Sequence, residues 1–523
     1  MRFAAAERTG PARALWLLLA VQAAALSWSA FVRFPGLQDN DFPLLMWLAH
    51  AASLRDPSPL AIGHYPPLQL VWARLAGPIF GGTLPAAKLL NVFATLASTF
   101  LVARIAARIC RVAWAGPLAA LAFAASAEAM LTGQSEFGDP AALACWLAGV
   151  HVLLGAKARP ALFAGGALLG LAGSIRLHFE SFGFATALVL VALAQSIDDP
   201  AERPPRGALA WLLPFAGLVA GLLPSWAVNL VAHGRPLSNV ASTFIGQVLF
   251  GFDVDDLPGT YALHPFREVL ADHKLRLVSL VGTRLAEAPG RWSAVLLVAA
   301  AAALPSRGPQ QSRQRLLALW LLLLGYAAAV VGPSWTATAR LLMPAAAMLS
   351  IAAAAGLSIA LPDRLRPMGF AALLLLVAAR FPEERWQTLH QLRSNDLEWQ
   401  RSIRITEILR RASVREPRQA FALDWNVYLT DDPRLISLYN FGFWDLLDPR
   451  FRAERPSPFP LAHDPARFAA FLRARGVRAI VLPTFSTRWT ELAAVAREGE
   501  LPGFVRVGQV EYCAVFAAPP GAP

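Results

Sequence analysis

Two acidic residues, Asp39 and Asp41, lie a few residues beyond the first apolar run and are the first candidates for chemistry. A carboxylate close to a membrane helix is unfavourable unless water, a cation or a substrate proton meets it there. Helix capping is the ordinary alternative, because Asp39, Asn40 and Asp41 are all good N-cap residues ahead of the apolar run that begins at Phe42. We interpret the pair as one aspartate that caps the next helix and one that is available for reaction.

Further polar residues with useful chemistry stand beside later apolar runs. Histidine, tyrosine and carboxylate groups transfer protons or form hydrogen bonds, and guanidinium groups bind phosphate oxygens. The candidates of these types are His64, Tyr65, Glu136, Asp139, Arg176, His178 and Arg340. Each has an ordinary alternative: a histidine near lipid headgroups, a solvated turn residue, a helix cap ahead of a proline, or an arginine that snorkels to the membrane surface.

Composition indicates the class of protein. Of the 523 residues, 56% are hydrophobic and 16% are charged, which is typical of a polytopic membrane protein. The net charge of +12 comes almost wholly from arginines between apolar runs, so we interpret it as a signal for membrane orientation and not for nucleic-acid binding. Cys110, Cys145 and Cys513 lie in three different settings, so neither a disulfide nor a cysteine metal site is expected.

The apolar runs predict about eleven α-helical membrane spans, several of them short. The first, Ala14 to Phe31, lacks a convincing cleavage site and is interpreted as a retained anchor after a short basic tail, Met1 to Arg13. The other runs lie near residues 86–109, 112–131, 140–155, 160–175, 181–195, 208–231, 290–304, 316–332, 339–360 and 368–380.

Arginine and lysine are concentrated in alternate loops, which predicts the orientation of the chain. The basic loops contain Arg104, Arg108, Arg111, Lys157, Arg159, Arg203, Arg206, Arg307, Arg313, Arg315, Arg364 and Arg366. Cytoplasmic loops carry this excess, so the opposite set is predicted to face outward: 34–85, 132–139, 176–180, 232–289, 333–338 and everything after 381. All the candidate residues then lie on the outer side. The long loop 232–289 is interpreted as a lid on the membrane surface. Its cluster Asp253 to Asp256 has the oxygen ligands of a cation site, but a solvated turn is the favoured interpretation.

The composition changes at Pro382, which divides the chain into a membrane domain, 1–381, and a water-exposed domain, 382–523. A linker helix is predicted over about 383–411, where the pattern is amphipathic from Trp386 onwards. Strands are predicted at 419–423, 477–482, 504–507 and 512–517, with helices from Pro465 to Gly476 and near 487–497. This alternation predicts a small outward-facing α/β domain, interpreted as a lid or a docking site for the acceptor.

Four short motifs, all on the predicted outer side, together resemble a known enzyme family. They are Asp39-Asn40-Asp41 followed by His64-Tyr65-Pro66-Pro67-Leu68, then Gly133 to Pro140, Gly170 to Arg176, and Ala339-Arg340-Leu341-Leu342-Met343-Pro344. In this order they resemble the GT-C membrane glycosyltransferases that use polyprenyl-phosphate sugars, such as protein O-mannosyltransferases and lipid A aminoarabinose transferases. The resemblance covers residues 14–380. This sequence departs from the pattern where relatives often have adjacent Asp-Glu at the first motif and Lys in place of Arg176.

The resemblance implies transfer of a sugar from a polyprenyl-phosphate donor to an acceptor hydroxyl on a lipid, glycan or protein, with inversion at the anomeric carbon. Such a reaction needs a base for the hydroxyl, a role that suits Asp39 or Asp41, with Asp139 sharing the site. It also needs positive charge for the departing phosphate, which Arg176 and Arg340 provide. The remaining residues that would line the cleft are His64, Tyr65, Glu136 and His178. If a divalent cation is bound by Asp39, Asp41 and Asp139, these ligands favour Mg²⁺, Mn²⁺ or Ca²⁺.

Two other classes of protein remain open at this point. A transporter or flippase for a lipid-linked substrate would show two related halves with interrupted spans, and no such internal similarity is evident. A membrane scaffold would leave the acidic loop and Arg340 without a role. The expected location is a bacterial inner membrane, with the C-terminal domain extracytoplasmic.

Overall fold

The computed structural model describes residues 2–38, 68–176, 178–195, 207–233, 310–331, 339–414, 420–422, 461–486 apart from 462 and 475, and 489–519, with isolated positions at 236, 275, 278, 279 and 283. Most of the first predicted outward loop lies outside these residues, including Asp39, Asp41, His64 and Tyr65. Most of loop 232–289 and the apolar run 290–304 also lie outside them.

Helices form the larger part of the described chain. They are α1 (Arg2–Trp28, continued by a π-helical turn Ser29–Arg33), α2 (Leu68–Ala76), α3 (Thr83–Cys110), α4 (Ala115–Ala124), α5 (Ala127–Thr132), α6 (Asp139–Leu154), α7 (Arg159–Ile175), α8 (His178–Gln195), α9 (Ala208–His233), α10 (Gln310–Tyr326, continued by a π-helical turn Ala327–Val331), α11 (Ala339–Ala360) and α12 (Arg366–Arg411).

Several of these helices are long and apolar enough to cross a bilayer. Among the described residues, four stretches meet that condition: Gly10–Arg33, Thr83–Cys110, Leu209–Val231 and Arg340–Ala360. Four shorter apolar helices, α4, α6, α7 and α8, accompany them. The chain is therefore a helical integral membrane protein.

The helix boundaries correct the sequence interpretation in three places. The predicted tail before Ala14 belongs to α1. The predicted span 112–131 is two helices, because Ser126 caps α5 by accepting a hydrogen bond from the Ala129 N–H at 3.2 Å. The predicted span 368–380 and the linker helix are one helix of 46 residues, α12, which continues through Pro382. Proline removes one backbone donor, and packing along the rest of the helix maintains it.

Glycines allow α7 and α9 to pack backbone to backbone. A Cβ atom at Gly166 would lie 1.9 Å from the Pro214 carbonyl oxygen, and one at Gly170 would lie 2.0 Å from that of Leu218. On the facing helix, a Cβ at Gly217 would lie 2.0 Å from the Phe163 oxygen. Small residues four apart are typical of close helix contacts in membranes. This contact fixes the end of α7, which directly precedes Arg176.

Helix α12 connects the bundle to a small sheet domain. Its 46 residues correspond to roughly 69 Å, about twice the hydrocarbon thickness of a bilayer. The Glu384 side chain accepts a hydrogen bond from the Ala127 N–H of α5 at 2.9 Å, so the first half of α12 packs on the bundle. The second half extends beyond it.

The described residues of the C-terminal domain form a five-stranded sheet and two helices. Its strands are β1 (Ala420–Ala422), β2 (Ala479–Pro483), β3 (Glu500–Leu501), β4 (Phe504–Val510) and β5 (Cys513–Ala517), and its helices are α13 (Pro465–Ala474) and α14 (Thr490–Glu498). The strand order is β1-β2-β5-β4-β3, with β1 and β2 parallel and the other pairs antiparallel. The four predicted strands are confirmed, and so is the cap of α13, where Asp464 accepts from the Arg467 N–H at 3.1 Å. The two-residue β3 was not predicted.

The sheet packs on the second half of α12. Gly508 lies against Ile408, Arg401 lies 4.4 Å from the centroid of the Tyr512 ring, and Arg404 forms an ion pair with Glu511 at 2.7 Å. The apolar core of the sheet also includes Leu37 and Phe137 from the bundle. The sheet domain therefore lies at the end of the bundle that contains the candidate residues.

Candidate functional site

The described candidate residues meet at one end of the helix bundle. Helix α6 begins at Asp139 and runs away from this end, and α7 returns to it and ends at Ile175, so Asp139 and Arg176 meet at the same level. His178 begins α8 and Arg340 lies in the first turn of α11 at the same end. Arg176 and His178 are close in sequence, whereas Asp139 and Arg340 are far from them, and helix packing brings these three segments together.

Asp139 and Arg176 form a buried ion pair. The Arg176 Nε and the Asp139 Oδ1 are 3.0 Å apart, and the side chains are 12% and 2% exposed. The Arg176 Nε–H group is not aligned for a hydrogen bond to Oδ1, so the contact is an ion pair only. Among the described residues, neither carboxylate oxygen of Asp139 accepts a hydrogen bond. The capping alternative for Asp139 is wrong, because Gly138 is the N-cap of α6. The snorkelling alternative for Arg176 is wrong as well, because its guanidinium faces a buried carboxylate.

Phe137 brings a second arginine to the pair. The guanidinium carbon of Arg340 lies 4.3 Å from the centroid of the buried Phe137 ring, and that of Arg176 lies 5.2 Å from it. Both distances are within the range of cation–π contacts. Two permanent cations are thus held against one aromatic ring, next to one carboxylate, Asp139.

His178 packs among aromatic rings beside these charges. Its ring centroid is 4.6 Å from that of Phe179 and 6.1 Å from that of Tyr326, and it lies within electrostatic reach of Arg176, Asp139 and Arg340. The Tyr326 hydroxyl donates to the Leu341 carbonyl at 2.9 Å, which ties α10 to the first turn of α11. A plain polar turn does not describe His178, because its ring is enclosed between helices.

Glu136 connects the site to the first outward loop. Its side chain is fully buried, and its Oε1 accepts a hydrogen bond from the Gln38 N–H at 2.7 Å. The solvated-turn alternative for Glu136 is therefore wrong. Since Gln38 directly precedes Asp39, this bond holds the start of the acidic loop next to the Asp139 end of α6.

Two buried residues of α3 also hold this region, and the sequence interpretation missed both. Lys88 donates from Nζ to the carbonyl oxygens of Phe34 at 2.8 Å and Gly36 at 2.6 Å. Asn91 donates from Nδ2 to those of Ser135 at 2.8 Å and Phe137 at 2.5 Å. A sequence signal existed for Lys88, because an ionisable residue inside an apolar span indicates a functional or structural site by default.

The described residues do not by themselves form a metal centre. No group of three histidine, cysteine, aspartate or glutamate side chains that could hold a metal ion occurs in the part of the chain that the structure describes. There, Asp139 faces the Arg176 guanidinium, and the other two expected ligands, Asp39 and Asp41, lie outside the described residues. Cys110 and Cys145 have free thiol groups.

The helix bundle, the C-terminal sheet and the polar cluster at one end of the bundle define a helical membrane protein. No protein-family model matches the chain, and no curated protein is similar in sequence. Solved structures are nevertheless similar over nearly its whole length. The resemblance to GT-C membrane enzymes that the sequence motifs predict is confirmed at the level of the fold.

Three of the similar solved structures are of two proteins, ArnT and the oligosaccharyltransferase AglB. ArnT from Cupriavidus metallidurans bound to undecaprenyl phosphate matches with a TM-score of 0.58 and 13% identity, over 97% of this chain and 98% of that one. Its apo form matches with a TM-score of 0.53 and 12% identity, over 96% and 97% of the two chains. The oligosaccharyltransferase AglB from Archaeoglobus fulgidus, in complex with an inhibitory peptide and a dolichol-phosphate, matches with a TM-score of 0.53 and 14% identity, over 97% of this chain and 75% of that one.

Proposed function

We propose that this protein is a GT-C-type glycosyltransferase that moves a sugar from a polyprenyl-phosphate donor to an acceptor hydroxyl on the outer face of the membrane. The observation that carries the proposal is the convergence of Arg176 and Arg340 on Phe137, beside Asp139 and beside the point where Glu136 holds the start of the acidic loop. Arg176 and Arg340, which we propose bind the phosphate, lie at the same end of the bundle as the Asp139 carboxylate and as Gln38, which directly precedes Asp39. The similar structures support a lipid-linked donor, since their ligands are undecaprenyl phosphate and dolichol-phosphate.

The proposed reaction is a single displacement at the anomeric carbon. Asp39 accepts the proton of the acceptor hydroxyl, and the hydroxyl oxygen forms a bond to the anomeric carbon. The bond between that carbon and the phosphate oxygen breaks, and the polyprenyl phosphate leaves with the electron pair. Arg176 and Arg340 stabilise the charge on the departing phosphate through charge-assisted hydrogen bonds. Attack opposite the leaving group inverts the configuration.

A second polar layer at the opposite end of the bundle supports the proposed orientation. His151 follows Asp139 by twelve residues in α6, roughly 18 Å along the helix axis. There Arg108 donates to the His151 carbonyl at 2.7 Å, and Arg315 donates to the Arg108 carbonyl at 3.1 Å. An arginine-rich layer favours the cytoplasmic side. The candidate site and the sheet domain would then face outward, in a chain of about eleven spans in a bacterial inner membrane.

Reporter fusions should show this orientation directly. Fusions at Arg108, Lys157 and Arg313 are expected to be fluorescent with a reporter that matures only in the cytoplasm. Fusions after Pro382 are expected to be active with a phosphatase that folds only outside it. A cytoplasmic C-terminal domain would contradict both the orientation and the assignment of the reaction to the outer face.

Replacing Arg340 by alanine is expected to raise the Michaelis constant for the lipid donor. A hydrogen bond to a charged group contributes about 1.5–3 kcal/mol, so the constant should rise roughly tenfold to a hundredfold. Steady-state kinetics with varied donor at saturating acceptor measure this change. The matched control is Arg313→Ala, which removes an exposed arginine at the opposite end of the bundle. An unchanged Michaelis constant for the donor in Arg340→Ala would show that Arg340 does not bind the phosphate and only packs against Phe137.

The decisive test of the function is incubation of the purified protein with a panel of polyprenyl-phosphate sugars and candidate acceptors. Mass spectrometry should detect released polyprenyl phosphate together with a glycosylated acceptor. The same assay with and without a chelator tests the further proposal that Asp39, Asp41 and Asp139 hold Mg²⁺, Mn²⁺ or Ca²⁺, which would add positive charge near the phosphate. Transport of intact lipid-linked sugar across a vesicle membrane without any transfer would instead support a flippase.

A further inference from the structure

His178 has a buried ring nitrogen, Nε2, that makes no hydrogen bond to any described residue. The atom is shielded from solvent at the polar end of the bundle, and within the described part of the chain it has neither a donor nor an acceptor beside it. A buried polar atom without a partner destabilises a folded protein, so the great majority of such atoms are hydrogen-bonded. The displacement proposed above does not use this nitrogen, which is therefore available to a ligand.

Aromatic neighbours restrict where the His178 ring can lie. Its centroid is 4.6 Å from that of Phe179 and 6.1 Å from that of Tyr326. The Tyr326 ring lies 4.9 Å from that of Phe182, and its hydroxyl donates to the Leu341 carbonyl at 2.9 Å. The imidazole is thus seated between α8 and α10 by contacts with rings, which leave Nε2 free to bind.

The two cations assigned to the phosphate lie beside this ring. Arg176 and Arg340 both contact the Phe137 ring, with guanidinium carbons 5.2 and 4.3 Å from its centroid, and both are within electrostatic reach of His178. A phosphate group has three strong acceptor oxygens. A neutral imidazole can donate one hydrogen bond to such an oxygen without adding a third positive charge next to the two guanidinium groups.

We propose that His178 donates a hydrogen bond from Nε2 to an oxygen of the lipid phosphate, beside Arg176 and Arg340. The inference rests on the proposed function, since it concerns the donor of that reaction. His178 is then a binding residue and not the base: no proton is transferred, and the hydrogen bond is made both to the donor and to the polyprenyl phosphate that leaves. The bond supplies direction, whereas the two arginines supply charge.

Binding of undecaprenyl phosphate to the full-length protein tests this without any turnover. His178→Phe keeps a ring between Phe179 and Tyr326 but removes the donor, and the dissociation constant should rise roughly tenfold to a hundredfold. His178→Gln offers an amide N–H about as far from the backbone as Nε2 and should recover most of the affinity, whereas the shorter His178→Asn should not. The matched control is His151→Phe, because His151 also has a buried nitrogen without a described partner but lies at the opposite end of α6. Its dissociation constant should equal that of the wild type.

Thermal unfolding in detergent separates binding from a structural role of His178. Without lipid, His178→Phe should unfold at the wild-type midpoint or above it, because Nε2 has no hydrogen bond to lose. Undecaprenyl phosphate should raise the midpoint of the wild type more than that of His178→Phe, since a ligand stabilises the folded state in proportion to how tightly it binds. Undecaprenol, which lacks the phosphate, should bind the two proteins equally.

The outcomes distinguish this inference from the proposed function. A wild-type protein that binds undecaprenyl phosphate through His178 but transfers no sugar from any donor would overturn the function and leave the role of His178 intact. An active wild-type protein whose His178→Phe variant binds the lipid phosphate with unchanged affinity would overturn the role of His178 alone. Equal affinities of the His178→Gln and His178→Asn variants, or an equal loss of undecaprenol binding in His178→Phe, would also overturn it. A wild-type protein that does not bind undecaprenyl phosphate would overturn both proposals.

Discussion

Replacing Asp39 by asparagine is expected to abolish sugar transfer while the protein remains folded and still binds the donor. The amide keeps the size and much of the capping ability of aspartate but cannot accept the proton of the acceptor hydroxyl. A general base contributes roughly two to four orders of magnitude in rate. Loss of a helix cap costs only about 0.5–2 kcal/mol of stability. Single-turnover transfer assays, together with donor binding and thermal unfolding of the variant, measure the three quantities separately.

The matching variants at the other two carboxylates make the assignment specific. Asp41→Asn is expected to reduce the rate less than Asp39→Asn does. If Asp39→Asn retains nearly the wild-type rate while Asp41→Asn or Asp139→Asn is inactive, Asp39 is the wrong base but the class of enzyme stands. If all three asparagine variants are fully active, the acidic loop is structural and the displacement mechanism has to be abandoned.

Replacing Arg176 by methionine is expected to destabilise the bundle strongly. The change leaves the Asp139 carboxylate, which is 2% exposed, without its cationic partner. Removal of one partner from a buried ion pair typically costs about 3–5 kcal/mol. The midpoint of thermal unfolding in detergent should therefore fall, and transfer activity should fall with it.

Two further variants at the ion pair separate charge from volume. Arg176→Lys keeps a cation opposite Asp139 and should retain most of the stability, although a single ammonium cannot reproduce the planar contact with Phe137. The double variant Asp139→Asn/Arg176→Gln removes both charges and should recover part of the lost stability without recovering activity. A wild-type unfolding midpoint for Arg176→Met would show that the ion pair contributes little to the fold.

The sequence alone determined the elements whose signals are local. The bounds of α11 are those of the predicted run 339–360, and α6 and α7 each begin one residue before their predicted runs. Apolar runs of this length indicate membrane helices regardless of what surrounds them. The cap at Asp464 and the alternating pattern of the C-terminal strands are equally local, which is why α13 and most of the sheet could be predicted.

Only the tertiary structure decided how the candidate residues are supported. The Gln38 carbonyl accepts a hydrogen bond from Asn395 of α12 at 2.9 Å, although the two residues are separated by 357 positions and no local pattern connects them. Nor does the sequence show that α12 continues through Pro382, so that the sheet domain sits beside the polar end of the bundle. Lys88 is recognisable as an ionisable residue in an apolar span, but its partners, the carbonyl oxygens at the end of α1, depend on how α1 and α3 pack. Such contacts follow from the close approach of whole helices, which local patterns of hydrophobicity do not specify.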